Sequence, residues 1–195
     1  MQFNSGEIYH IYNRGNNKHA IFFKEENYFY FLEKIRKYIY PNCDILAWCL
    51  MPNHFHFLIH ANDKSCELIK ERPLPVSNLV EGFRLALSSY SKAINVQEHR
   101  TGNLFQQKTK SKSVYTDKED YSLTAFHYIH QNPVKAGLVE KLEDWEFSSF
   151  KDYAELRKGK LCNKQMAIDK LELQMEKFVE NSYLALDEKL VSKIY

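Results

Sequence analysis

Hydrophobic and polar positions alternate between two periods along this chain. Residues 6–13 (GEIYHIYN) are rich in β-branched and aromatic types and run into RGNNK, which predicts a first strand followed by a turn. From Lys24 to Tyr40 the period changes: Tyr28, Phe31, Leu32, Ile35 and Ile39 recur every three or four residues, the stripe of an amphipathic helix that Pro41 and Asn42 stop. CDILAWCLMPNHFHFLIHAND then reads as two strands joined at Met-Pro-Asn. Residues 62–76, with Pro73 and Pro75, read as a loop, and a second helix is expected from Ser77 to about Val96, capped by Ser77 or Asn78. After Gly102 a further strand, NLFQQKTKSKSVY, is predicted, followed by a third helix from Asp117 to about Asn132, capped by Thr116 or Asp117 and stopped by Pro133.

This order of strands and helices predicts an α+β domain: a ferredoxin-like or RRM-like antiparallel sheet with helices packed mainly on one face. Residues 1–153 form the expected main domain. Residues 154–195 are expected to be a C-terminal helical extension, because 163–195 has the pattern of one or two charged amphipathic helices.

Composition narrows the class without naming a partner. With 44% hydrophobic and 27% charged residues over 195 positions, the chain can build one sizeable core. No apolar run approaches the ~18 residues of a membrane helix, so no membrane partner is expected and the cytoplasm is the default location. Cys43, Cys49, Cys66 and Cys162 make no CxxC pair, which favours packed thiols over disulfides or a zinc site. A net charge of +2 announces no nucleic acid, but Arg100, Lys108, Lys110 and Lys112 fall in a stretch without one acidic residue. On a strand Lys108, Lys110 and Lys112 share one face, either to follow a DNA backbone or as a solvated face protecting a sheet edge.

Two groups of residues could carry chemistry. In HFHFLIH a strand sends His54, His56 and His60 to one face and Phe55, Phe57 and Ile59 to the other. Two imidazoles so spaced can converge on a divalent ion; they can equally be half-exposed histidines bonded to neighbours. On the third helix Tyr128 and Asn132 lie four residues apart and project together. A tyrosine, with its free pKa near about 10, needs a cation or a polarised electrophile to act as a nucleophile, and otherwise simply packs.

MPNHFHFLI, followed about seventy residues later by YIHQNPVKAGLV, resembles the paired signature of insertion-sequence-200-like and REP-associated single-tyrosine (HUH) transposases. The opening IYNRGNNKHAIFFKEENYFYFL is similar to that family as well, so the resemblance covers about residues 6–153. It implies that His54 and His56 are metal ligands, that Tyr128 is the nucleophile, and that Asn132 completes the metal site, with the adjacent Gln131 as the other candidate. It further implies Mg²⁺ or Mn²⁺ as the cofactor, single-stranded or hairpin DNA as the partner, and a 5′-phosphotyrosine intermediate. A homodimer stays open, because relatives place the tyrosine helix against their own or a partner's histidine pair. The rival expectations are an RRM-like module that binds single strands without chemistry, and a metallohydrolase that uses a bound water.

Overall fold

A computed structural model describes residues 1–69, 75–115, 121–184, 186 and 188–192. Along the chain run β1 (Ile8–Arg14), α1 (Glu25–Tyr38), β2 (Asp44–Met51), β3 (His54–His60), α2 (Asp63–Cys66), β4 (Leu68–Ile69), β5 (Val76–Ser77) and α3 (Asn78–Gln97). They are followed by β6 (Lys110–Ser113), α4 (Ser122–Lys135), α5 (Phe150–Tyr153), α6 (Lys164–Leu171), α7 (Phe178–Tyr183) and α8 (Glu188–Ser192). The main sheet is antiparallel, in the order β2-β3-β1-β6, and β4 pairs with β5 in a separate ribbon. The path β1-α1-β2-β3-α3-β6 is the βαββαβ arrangement of ferredoxin-like domains.

Alternation along the central strands sorts side chains to two faces. Ile11, Phe55, Phe57 and Ile59 face α1 and α3, where they pack with Phe31, Ile35, Phe83 and Tyr90 in one buried core. Ile8, Leu58, Cys49 and Met51 point the other way and join Ala125, Phe126 and Ile129 of α4 in a second. The expected α+β class and antiparallel sheet are therefore present, but helices cover both faces rather than mainly one. The reason lies in β2, which is apolar on both sides and has a register shift between Ile45 and Ala47. Leu46 and Ala47 thereby fall in the second core, which needs its own cover. Burial of one side chain the size of Phe126, which is fully enclosed, is worth about 1.5–3 kcal/mol.

Other expectations shift in detail. The strand predicted after Gly102 is confined to Lys110–Ser113, because Leu104 and Phe105 are consecutive and both buried, which a strand lying over one core does not allow. The 62–76 loop holds α2, β4 and β5, with 70–74 outside the described residues. The α3 cap is Ser77, whose hydroxyl accepts from the Val80 amide. The proposed caps Thr116 and Asp117 of the third helix lie outside the described residues. That helix does not stop at Pro133. It continues to Lys135 and ends at Gly137, whose φ of +67° is the left-handed turn that glycine adopts without strain. Proline in the last turn withholds a single amide, so it shortens the ladder without ending it. Residues 154–195 contribute Ala167, Leu171 and Phe178 to the second core. All four cysteines are free. Among the described residues no helix is long and apolar enough to cross a membrane.

Candidate active site

His54 and His56 lie on β3, between β1 and β2, on the face that α4 crosses. Each imidazole is held through its Nδ1. His54 Nδ1 is 2.6 Å from Asn53 Oδ1, and Asn53 uses its amide nitrogen to donate to the Lys18 carbonyl at 3.3 Å. With the amide so turned, Oδ1 accepts, His54 carries its proton on Nδ1, and Nε2 keeps a lone pair. The loop that brings Lys18 into place needs Gly15, because a Cβ there would collide with the His19 carbonyl.

His56 Nδ1 lies 2.9 Å from Nε2 of His10, a fully buried residue of β1 whose ring stacks on that of His56 with centroids 5.0 Å apart. Nε2 is thus the nitrogen that His56 can offer a ligand. Burial, with Arg14 adding repulsion, lowers the His54 pKa to about 4. Burial, His10 and His54 hold His56 well below the ordinary value. Both rings are neutral at pH 7, the state in which imidazole ligates metal.

α4 supplies the opposite wall. The Tyr128 and His56 ring centroids are 6.3 Å apart with the rings nearly perpendicular, and Lys135 Nζ sits 5.1 Å from the Tyr128 ring centre. One turn on, Asn132 donates its amide hydrogen to the Tyr128 carbonyl at 2.9 Å, which leaves Oδ1 as its acceptor in the cleft. The cleft measures about 560 Å³ and is lined by His54, His56, Tyr128, Asn132, Lys108 and Lys110. Lys112 is not among its lining residues; it stands opposite His10 in the β1–β6 register. Lys110 stands opposite Tyr12, with Nζ 5.7 Å from that ring's centre.

The remaining candidates point elsewhere. Gln131 donates to the carbonyls of Ser182 and Leu184, both at 2.9 Å, and so ties α4 to the C-terminal segment. His60 lies 3.6 Å from Asp44 on the same strand as the cleft pair, beyond the cleft lining. His127 and His130 bond Ser182 and Ser149. Sequence reasoning passed over His10, Asn53 and Lys135. Only Asn53, next to His54, carried a local hint.

The donor set suits a divalent ion that accepts nitrogen and oxygen together: two neutral imidazoles and one amide oxygen. No group of three His, Cys, Asp or Glu residues suited to a metal occurs among the described residues. A set of neutral donors leaves the charge of a bound cation unspent, to act on an anionic substrate.

A comparison with protein-family models finds no match. A curated relative from Haemophilus influenzae, described as a putative REP-associated tyrosine transposase, is 27% identical over 109 residues, which is 55% of this chain and 58% of the relative. The chain thus spans a little over half the length of that relative. This likeness decides the family resemblance. The chain resembles a REP-associated tyrosine transposase. A solved structure of a REP-associated tyrosine transposase bound to a REP hairpin aligns with 77% of this chain and 80% of its own, with a TM-score of 0.57 at 18% identity. The fold is therefore shared with that structure.

Proposed function

We propose that the chain is a tyrosine transposase: a metal-dependent endonuclease and strand transferase acting on single-stranded DNA beside a hairpin. The observation that carries this reading is the meeting, in one basic cleft, of Tyr128 and Asn132 from α4 with His54 and His56 from β3. His54 Nε2, His56 Nε2 and Asn132 Oδ1 are the atoms that would hold Mg²⁺ or Mn²⁺. When bound, the ion supplies positive charge to the oxygens of the scissile phosphate.

The chain's own residues do the rest. Asn53 and His10 fix the two imidazoles, as outer partners of metal ligands do. Lys108 and Lys110, both exposed, hold phosphates at the rim, while Lys112 extends the basic strand away from it. Tyr128 attacks phosphorus: a tyrosyl O–P bond forms, the bond to the 3′-oxygen breaks, and that oxygen takes up the proton the tyrosine gives up. The product is a 5′-phosphotyrosine beside a free 3′-hydroxyl, and the retained ester allows a later hydroxyl to rejoin the strand. Tyr128 faces the histidine pair of its own chain, so a single chain supplies all of these groups.

The test is a denaturing gel of the protein with labelled hairpin DNA and Mn²⁺. Wild type gives a slow covalent band, and Tyr128→Phe gives none while still binding the DNA. Cleavage that persists without an adduct in Tyr128→Phe would instead mean a water nucleophile. The binding-only reading has less in its favour, because α4 roofs part of the sheet face on which such modules stack bases.

A further inference from the structure

A second groove, of about 1160 Å³, runs along α3 and the segment that follows it, and it shares Asn13, Gln106 and Lys108 with the cleft of Tyr128. At the junction Asn13 donates to the Gln106 carbonyl and to Thr109 Oγ1, at 3.1 and 3.0 Å, which fixes the common wall to β1. Along α3, Arg84, Ser88, Ser91 and Asn95 follow each other at three- and four-residue steps on one side of the helix, with Lys92 beside Ser91, over about 16 Å at 1.5 Å per residue. Glu81 is the one acidic residue of the lining among the described residues, and it is engaged in a two-pronged pair with Arg84 at 2.6 and 2.7 Å. Lys92, Arg100 and Lys108 make no ion pair among the described residues. The walls also carry apolar groups, with Val96 71% exposed. Asn95 fixes the segment that follows α3, its amide donating to the Gly102 carbonyl at 2.9 Å.

We propose that this α3 groove binds the single-stranded DNA that continues from the scissile site, with phosphates on Lys92 and Arg100 and bases against the apolar wall. This inference rests on the DNA reading of the cleft. It shares with single-strand channels elsewhere a cationic edge that follows the backbone, while aliphatic groups such as Val96 take the place of aromatic platforms. The occupant is a single strand rather than a duplex because the groove lies on the α3 side of the sheet and meets the cleft along Asn13, Gln106 and Lys108, a margin that a flexible single strand can round to bring one phosphate to Tyr128.

The test measures binding, by fluorescence anisotropy, of a hairpin with and without a single-stranded tail of about ten nucleotides, within the site sizes of single-strand binders. Wild type binds the tailed DNA at least tenfold more tightly. In Lys92→Ala/Arg100→Ala that advantage is lost, the tailless hairpin binds as before, and the dependence of log K on log salt for tailed DNA is shallower by about 1.4, the value for two single-strand phosphate contacts. Equal losses on both DNAs, or no loss on either, overturn the assignment. Photocross-linking from tail bases to unmodified protein gives an answer independent of the variant's folding: adducts within residues 84–107 support the groove, and adducts confined elsewhere overturn it. Wild-type protein that binds neither DNA rejects the DNA reading itself, and the groove with it.

Discussion

His54 and His56 on β3 and His127 and His130 on α4 are two pairs of the same residue, and burial lowers the pKa of all four. Their surroundings separate them. His130 Nε2 meets Ser149 Oγ at 2.7 Å among Phe126, Phe150 and Phe178, and His127 Nδ1 meets Ser182 Oγ at 3.1 Å. These two imidazoles act as struts between α4 and the segments packed behind it. The β3 pair, held from behind by Asn53 and His10, looks into a cleft instead. Desolvation alone therefore does not distinguish the two pairs, nor does a cavity, since His127 also borders one of about 390 Å³; what the rings share their cavity with does, and the β3 pair shares its cleft with Tyr128 and Asn132.

The comparison breaks most sharply by exchange of the two roles. His54→Ala/His56→Ala is expected to abolish Mn²⁺ binding in calorimetry and, because His56 is buried and bonds His10, to lower the unfolding midpoint as well. His130→Ala should leave Mn²⁺ affinity unchanged and cost about 3 kcal/mol in urea unfolding, because it opens a cavity where a fully enclosed ring packs against Phe126, Phe150 and Phe178. Retained Mn²⁺ binding in the double variant would make the β3 pair structural too. A smaller effect probes the support behind His56: His10→Phe keeps an aromatic ring and removes the bond, and should weaken Mn²⁺ binding about 10- to 100-fold. Unchanged affinity would reduce His10 to packing.

The smallest effect concerns pH. Burial takes His127 from the ordinary 6.5 to about 4, so between those values the unfolded chain binds the proton and the folded chain does not. Stability from this group is complete above pH 6.5 and declines as pH falls towards 4. His127→Asn should flatten that part of the decline in urea midpoints; an identical pH profile would show that His127 takes no part in it.

What could be read in advance follows the range of the forces involved. The alternation of HFHFLIH and the four-residue step from Tyr128 to Asn132 are local, and each gave its face correctly. Strand neighbours are not local. The contact of His10 with His56 exists because β1 lies beside β3, forty-six positions away in sequence, and no pattern within either strand announces it. The second helical layer escaped notice because the bulge in β2 shifts its parity, so that Ile45 and Trp48 share a core without sharing an odd or even number. The choice between Asn132 and Gln131 as the residue facing the cleft turned on the C-terminal segment, whose carbonyls claim the glutamine. Pro133 looked like a stop because proline's cost in a helix interior was applied to a last turn, where less is lost.

Gly15 stands apart from every group that does chemistry, yet its amide donates to the Asn53 carbonyl at 2.8 Å, and its bare Cα lets the loop fold back so that Lys18 can hold the Asn53 side chain. Asn53 in turn aims His54. A methyl group at position 15 would act as a wedge at the root of this linkage and rotate an imidazole it never touches. The bite of the histidine pair is thus set from the far side of a turn, where one hydrogen atom in place of a side chain works as an adjusting screw.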